Sequence, residues 1–281
     1  MTVGIVGLGL IGGSMAKAYS QSGTDTVLGW DIDTAMLEYA RLRGAVQGVL
    51  TEENISSCDL LFIGLYPRAA VEYLTKTAHR IAKDTVVIDL CGTKRTVCDA
   101  GFALAEQYGF TFVGGHPMAG RQFSGFKYSR ADMFHGAPMV IVPPRTDDIF
   151  LLDRIKKMLA PAGFGRITVS TADQHDEMIA FTSQLAHVVS NAYVKSPTAR
   201  SHDGFSAGSY KDLTRVARLN EYMWSELFLE NREHLVSELD CLIGELTKYR
   251  DAIDAGDIDT VRDLLRDGRE QKERIDGGAQ K

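Results

Sequence analysis

The sequence predicts an α/β fold with a mostly parallel, doubly wound sheet over residues 1–170 and an all-α segment over residues 171–281. Three observations carry this reading. Short apolar runs alternate with amphipathic stretches of helical length through the first part of the chain. Several runs, such as "CDLLFIGL" and "TVVIDL", are nearly continuous in apolar residues, as in strands buried on both faces. From "ADQHDEMIAFTSQLAHVVSNAYVKS" onward no stretch reads as a strand.

Taken in order, "TVGIVGLGLIGGSMAKAYSQSG" reads as strand, glycine turn and helix, with Gly23 as the stop. "TVLGWD" is a second strand and "TAMLEYARLRG" a helix ending at Gly44. The strand "CDLLFIGL" leads into the amphipathic helix "PRAAVEYLTKTAHRIAKD", and the strand "TVVIDL" into the helix "VCDAGFALAEQYG". Strands "FTFVGG" and "APMVIVPP" follow, then the helix "DIFLLDRIKKMLAPAG" and a short strand "RITVS". In the helical part, "NEYMWSELFLENREHLVSELDCLIGELTKYRDAI" forms one long pattern, with Leu235, Leu239, Leu242, Leu246 and Tyr249 along one side. Gly256 interrupts it, "DIDTVRDLLRDGREQKERI" resumes it, and "GGAQK" is expected to be a disordered tail.

Bulk properties exclude several classes. The 281 residues suffice for one large domain or two medium ones, each with a real core. A net charge of −6 argues against a nucleic-acid partner. No apolar run is long enough to span a bilayer and no signal peptide opens the chain, so no membrane association and a cytoplasmic setting are expected. Cys58, Cys91, Cys98 and Cys241 show no metal-type spacing, which points to reduced thiols and no metal site.

The loop Gly7-Leu8-Gly9-Leu10-Ile11-Gly12 has the spacing G-x-G-x-x-G, directly after a strand and before a helix. In a Rossmann-type domain Gly7 permits the tight turn, Gly9 lets the backbone approach a pyrophosphate, and Gly12 lets helix and strand pack closely. Asp31 ends the second strand, where a carboxylate accepts hydrogen bonds from a ribose 2′-OH and repels a 2′-phosphate. No Arg or Lys lies between Asp31 and Glu38, which favours NAD over NADP. Leu65, Tyr66 and Pro67 follow another strand and belong to the same carboxyl edge of the sheet.

The stretch "FVGGHPMAGRQFSGF" carries His116 toward that edge. Gly114 and Gly115 allow close approach and unusual dihedrals, and Pro117 biases His116 toward an extended conformation. A rigid His near a nicotinamide is a candidate general base. In the helical part Asp176, Gln184, His187 and Asn191 recur at helical spacing, with Ser183 beside them. Such a stripe is either a solvated face or the wall of a polar pocket. Gly208 opens "GSYKDLTRVARLNEYMW", in which Arg215 is either a surface charge or a fork for a substrate carboxylate.

Together, "GLGLIGGS", "DLCGTK", "GGHPMAG", "TSQLAH" and "GSYKDLTRVA" followed by "MW" resemble the prephenate dehydrogenases, a family of tyrosine biosynthesis that includes arogenate and cyclohexadienyl dehydrogenases. The resemblance runs over essentially the whole chain. It implies NAD-dependent oxidative decarboxylation of prephenate to 4-hydroxyphenylpyruvate. It implies a homodimer joined through the helical half, which also lines the site for a small-molecule substrate, prephenate or arogenate. By motif match His116 is the base, Arg215 anchors a carboxylate, and His187 holds the other end of the substrate. Gln184 and Gly208 match substrate-lining positions, and Asp176, Asp212 and Trp224 supporting ones.

Three departures stand out. Gly92 occupies the place of a family Ser whose hydroxyl assists the base, leaving Thr93, Cys91 or a water as replacements. Gln122 stands where many relatives have an acid, and Gln184 replaces a His. Neither an ACT regulatory domain after the helical half nor a fused chorismate mutase before the glycine loop is expected. Two other readings are a different two-domain dehydrogenase of the β-hydroxyacid or imine-reductase kind, and a non-catalytic NAD-sensing module. The first does not require "HPMAG"; the second leaves His116 and Arg215 unexplained.

Overall fold

A computed structural model describes residues 1–121 and 123–278. The strands are β1 (Thr2–Val6), β2 (Thr26–Trp30), β3 (Gly48–Val49), β4 (Leu60–Ile63), β5 (Val86–Asp89), β6 (Thr111–Pro117), β7 (Pro138–Val142) and β8 (Arg166–Val169). They form one sheet in the order β3-β2-β1-β4-β5-β6-β7-β8. Every pairing is parallel except β6 with β7. The two-residue β3 has no sequence signal of its own; it is held by pairing Gly48 and Val49 with Leu28 and Gly29.

Helices α1 (Leu10–Ser22), α2 (Thr34–Leu42), α3 (Pro67–Thr77), α4 (Arg95–Tyr108) and α5 (Ile149–Met158) connect the strands. All residues of β4 and β5 are buried. Their side chains alternate between two apolar cores: Leu60, Phe62, Val86 and Ile88 belong to one, Leu61, Ile63 and Val87 to the other. At about 1.5–3 kcal/mol per fully buried large apolar side chain, these two layers supply the main driving force for the half. Strand order reverses between β1 and β4, so the crevice outside their carboxyl ends is the topological switch point.

Beyond β8 the chain is helical: α6 (Ala172–Ile179), a π-helical turn (Ala180–Leu185), α7 (Ala186–Tyr193), α8 (Gly208–Thr214), α9 (Glu221–Glu230), α10 (Arg232–Asp254) and α11 (Ile258–Gly278). The chain divides into two compact units, Met1–Arg232 and Glu233–Lys281. The pattern expected as one long helix breaks at Asn231. That residue leaves helical geometry (φ −105°, ψ 28°), and its side-chain Nδ2 donates to the Asp176 carbonyl and to Gln184 Oε1. Two buried bonds outweigh the modest propensity for continuing the helix.

In the second unit, Gly256 ends α10 at φ +64°. Asp257 N–H bonds the Ala252 carbonyl and Gly256 N–H the Ile253 carbonyl, a Schellman motif that makes Gly the natural residue there. Helix α11 carries through Gly277 and Gly278, which were expected in a disordered tail; residues 279–281, the rest of that expected tail, lie outside the described residues. Among the described residues no helix is long and apolar enough to cross a membrane.

Candidate active site

The glycine loop leaves β1 at the switch point. Gly7 has φ +85°, and a Cβ on it would lie 2.6 Å from the Gly64 carbonyl oxygen. A Cβ on Gly12 would lie 1.9 Å from the Gly7 carbonyl oxygen, so the first turn of α1 closes only on glycine. At Gly9 the same test meets nothing within 4 Å. The middle glycine therefore faces open space, and α1 has no side-chain cap on its first N–H groups. A backbone cradle with free helix N–H groups fits a pyrophosphate. Asp31 closes the loop from the other side: its Oδ2 accepts from Leu8 N–H at 2.7 Å and its Oδ1 from Asp33 N–H at 2.9 Å. Both oxygens keep lone pairs for a ribose diol. Leu10 and Ile11 open α1.

A feature hidden in the sequence is the use of Gly13. A Cβ there would lie 2.6 Å from the Phe126 ring. Lys17 lies over the same ring, 4.4 Å from its centroid, and donates to the Ser129 carbonyl. The segment after "HPMAG" is thus docked on the cofactor helix.

Leu65, Tyr66 and Pro67 sit where β4 turns into α3. Tyr66 is exposed and Pro67 takes the first helical position. The next N–H, of Arg68, is capped by Glu226 of α9 at 2.9 Å. Glu230, one turn further along α9, accepts from the Thr93 hydroxyl at 2.7 Å. Burial, together with the nearby Glu226, raises its carboxyl pKa against the lowering effect of Thr93.

His116 lies within β6, opposite Val140 of the antiparallel β7. Neither Gly114 nor Gly115 has a positive φ. They serve close approach within the protein: a Cβ on Gly114 would meet Cys98 Sγ at 2.5 Å, and one on Gly115 the Asp89 carbonyl oxygen at 2.5 Å. The backbone beside His116 is pinned by Asp89, whose Oδ1 accepts from Gly115 N–H at 3.0 Å and Oδ2 from Cys91 N–H at 2.9 Å. Asp89 also forms a fully buried ion pair with Lys94. Burial works against the Lys94 ammonium, but the Asp89 carboxylate outweighs it and holds the pKa above the ordinary lysine value. Burial and Asp89 push the Cys91 thiol up, so it stays protonated.

Sequence reasoning gave His175 no role. The structure brings its Nε2 to 2.8 Å from His116 Nδ1, and its Nδ1 to 2.7 Å from Asp176 Oδ1. Asp176 is buried and accepts from the N–H groups of Lys94 (2.7 Å) and Arg95 (2.9 Å), at the start of α4. Burial opposes its ionisation, but His175 and these N–H groups prevail and lower its pKa. Burial, then His175 and Lys94, hold the His116 pKa well below the ordinary value of about 6.5, so its ring is neutral near pH 7.

The polar stripe of the α6–α7 segment is not a solvated face. Gln184 is buried, with Nε2 donating to the Leu227 carbonyl and Oε1 accepting from Asn231; its amide is engaged within the protein. Asn191 donates to the Ala217 carbonyl. His187 is half-buried, its Nδ1 lies 2.8 Å from the Ser183 carbonyl, and its ring packs against Trp224, tilted by 31° with centroids 4.1 Å apart. Arg215 follows α8, is exposed, and has no ion-pair partner among the described residues. It lies near enough that its charge, after burial, lowers the His187 pKa. Gly208 opens α8 facing open space, and Asp212 is exposed. A guanidinium with no ion-pair partner among the described residues, near a neutral imidazole that itself packs on an indole, suits a carboxylate-bearing ring compound.

Residues 15–168 match the family model for the prephenate dehydrogenase nucleotide-binding domain, and residues 171–267 that for its dimerization domain. The chain belongs to the prephenate dehydrogenase family. Similar curated proteins include a cyclohexadienyl dehydrogenase of Zymomonas mobilis, 28% identical over 97% of this chain and 94% of its own length. A prephenate dehydrogenase of Bacillus subtilis is 27% identical over 92% of this chain and 72% of its own. A solved structure of A. aeolicus prephenate dehydrogenase in complex with hydroxyphenyl propionate and NAD+ superimposes with a TM-score of 0.83 at 25% identity, covering 98% of both chains. Membership in this dehydrogenase family removes the β-hydroxyacid dehydrogenase and the NAD sensor as readings of the chain.

The departures from the family motif now have physical content. A Cβ on Gly92 would lie 3.3 Å from the Leu227 methyls, so α9 packs over the place of the missing hydroxyl. Thr93 gives its hydroxyl to Glu230 and the Cys91 thiol lies 3.4 Å from the Leu65 carbonyl. Neither contact is with His116. Gln122 lies outside the described residues.

Proposed function

We propose that this enzyme catalyses NAD-dependent oxidative decarboxylation of prephenate to 4-hydroxyphenylpyruvate. The observation that carries the reading is the neutral, half-buried His116 on the strand end that shares the carboxyl edge with the glycine loop. NAD+ supplies, when bound, the acceptor for the hydride of the ring carbinol carbon. Gly7, Leu8, Gly9, Leu10, Ile11 and Gly12 cradle its pyrophosphate, Asp31 takes its ribose, and Leu65, Tyr66 and Pro67 flank it. His116 Nε2 accepts the hydroxyl proton as the hydride departs. The ring C–CO2 bond then breaks, its electron pair completes the aromatic ring, and the proton returns to the phenolic oxygen. Arg215 pairs with a substrate carboxylate, and His187 and Gly208 border the far end. Gln184, with its amide engaged inside, shapes the wall rather than touching substrate.

One observation favours a second reading, arogenate as the better substrate. A carbonyl accepts only, so the Ser183 bond places the His187 proton on Nδ1 and leaves Nε2 of the neutral ring as an acceptor. An acceptor complements the ammonium of arogenate and not the side-chain ketone of prephenate. We read residues 1–170 as the cofactor half and 171–281 as the dimerisation and substrate half. The exposed Val236, Ile243, Leu246 and Ile253 along α10 are the face expected to meet a second copy in a homodimer. Reduced thiols at Cys58, Cys91 and Cys98 suit the cytoplasm. The test is NADH formation from NAD+ with each substrate; turnover of neither overturns the proposal, and the ratio of kcat/KM values decides between the two.

A further inference from the structure

With Gly92 in place of a hydroxyl and with Thr93 and Cys91 engaged elsewhere, something else must orient the His116 ring. The hydrogen-bond chain through α6 decides its tautomer by elimination. Asp176 is an ionised carboxylate that accepts the N–H groups of Lys94 and Arg95, so it only accepts. The proton between it and His175 therefore resides on His175 Nδ1. His175, when neutral, then presents Nε2 as a lone pair, and the proton of the next bond must come from His116 Nδ1. That leaves His116 Nε2 unprotonated, the form a base needs.

We propose that His175 and Asp176 are positioning residues that lock His116 as its Nδ1–H tautomer, taking over the orienting task left vacant at Gly92. The anchor of the chain is rigid before any substrate arrives. Asp176 sits at the N-terminus of a 14-residue helix, where the helix dipole favours its negative charge. Its backbone carbonyl is held by Asn231 Nδ2 at 2.8 Å. The other charged groups around His116 are committed: Lys94 to Asp89, and Arg95 lies beside Asp176, with its Nε 3.6 Å from Oδ2. From β7 the facing residues are apolar, Val140 directly opposite and Met139 beside it. When His116 takes up a proton at Nε2, its Nδ1–H bond to His175 strengthens, and the positive charge lies one ring away from the Asp176 carboxylate.

The inference rests on the proposed reaction, but its test separates the two. In the full-length protein, nitrogen NMR of 15N-histidine at pH 7.5–8 (roughly, well above the imidazole pKa range) reads the tautomer without any substrate. His116 is expected with Nδ1 protonated and Nε2 bare; the reverse assignment overturns the inference even in an active enzyme. With the better substrate, His175→Phe removes the acceptor and is expected to lower kcat by about 10²–10⁴-fold with KM values little changed. His175→Gln can donate to Asp176 and accept from His116, so it should recover at least about tenfold over the Phe variant. Equal loss in Gln and Phe variants, or a Phe variant within about threefold of wild type, contradicts the inference. Inactivity of the wild type on both substrates sinks the proposed reaction and leaves the NMR result to decide the tautomer.

Discussion

Lys94→Met removes one partner of an ion pair whose two side chains are both fully buried. Asp89 would keep the N–H groups of Cys91 and Gly115 but lose its counter-charge. An uncompensated buried charge of this kind costs about 3–5 kcal/mol, against a total stability of about 5–15 kcal/mol. For a chain of this size each kcal/mol moves Tm by about 2–4 °C, so the variant should melt about 6–20 °C lower. Calorimetry at neutral pH measures this. The double variant Asp89→Asn/Lys94→Met removes both charges while keeping an acceptor for one N–H, and should regain part of the loss through coupling of about 0.5–3 kcal/mol. A single-variant shift below about 2 °C would refute the reasoning, as would a double variant no more stable than the single. Because Asp89 holds the N–H directly before His116, the folded fraction of the single variant should also turn over more slowly.

Two further outcomes follow from the site. Arg215→Gln should raise the KM for the carboxylate substrate with a smaller effect on kcat, since an exposed guanidinium with no ion-pair partner among the described residues anchors the ground state; steady-state kinetics with an unchanged KM would exclude that role. The base must be neutral in the free enzyme, and burial with His175 and Lys94 lowers its pKa, so kcat/KM should stay high near neutrality and fall only as pH drops through a value below about 6.5. A pH–rate profile whose acid limb lies above that value, or has none, would count against His116 as the base.

Much of the first half was legible because its signals are local. The glycine spacing and the continuous apolar strands each express a constraint visible within about ten residues, and Asp31 one visible at about twenty residues from the glycine loop. What stayed hidden was long-range. His175 lies 59 residues from His116, and the helical spacing that singled out Asp176 gave its neighbour His175 no place. Gly13 has no place in the G-x-G-x-x-G spacing, and its contact with Phe126 joins residues far apart in sequence. The break at Asn231 depended on partners at Asp176 and Gln184, which no helical periodicity encodes. Of the two roles expected for Gly114 and Gly115, unusual dihedrals are not used and close approach is, but what approaches is the protein itself: Asp89 and Cys98. A cheap signal for His175 was available, since a His-Asp pair ahead of an apolar helix is a candidate tautomer-setting pair.

The measurement that bears most directly on the whole account is single-turnover NADH formation by the wild type and by His116→Asn, with NAD+ affinity determined in parallel. The account predicts NADH from wild type with prephenate or arogenate, a loss of about 10²–10⁴-fold in the chemical step for the variant, and nearly unchanged NAD+ binding. A variant that keeps wild-type turnover, or that loses turnover and NAD+ binding together, would contradict it.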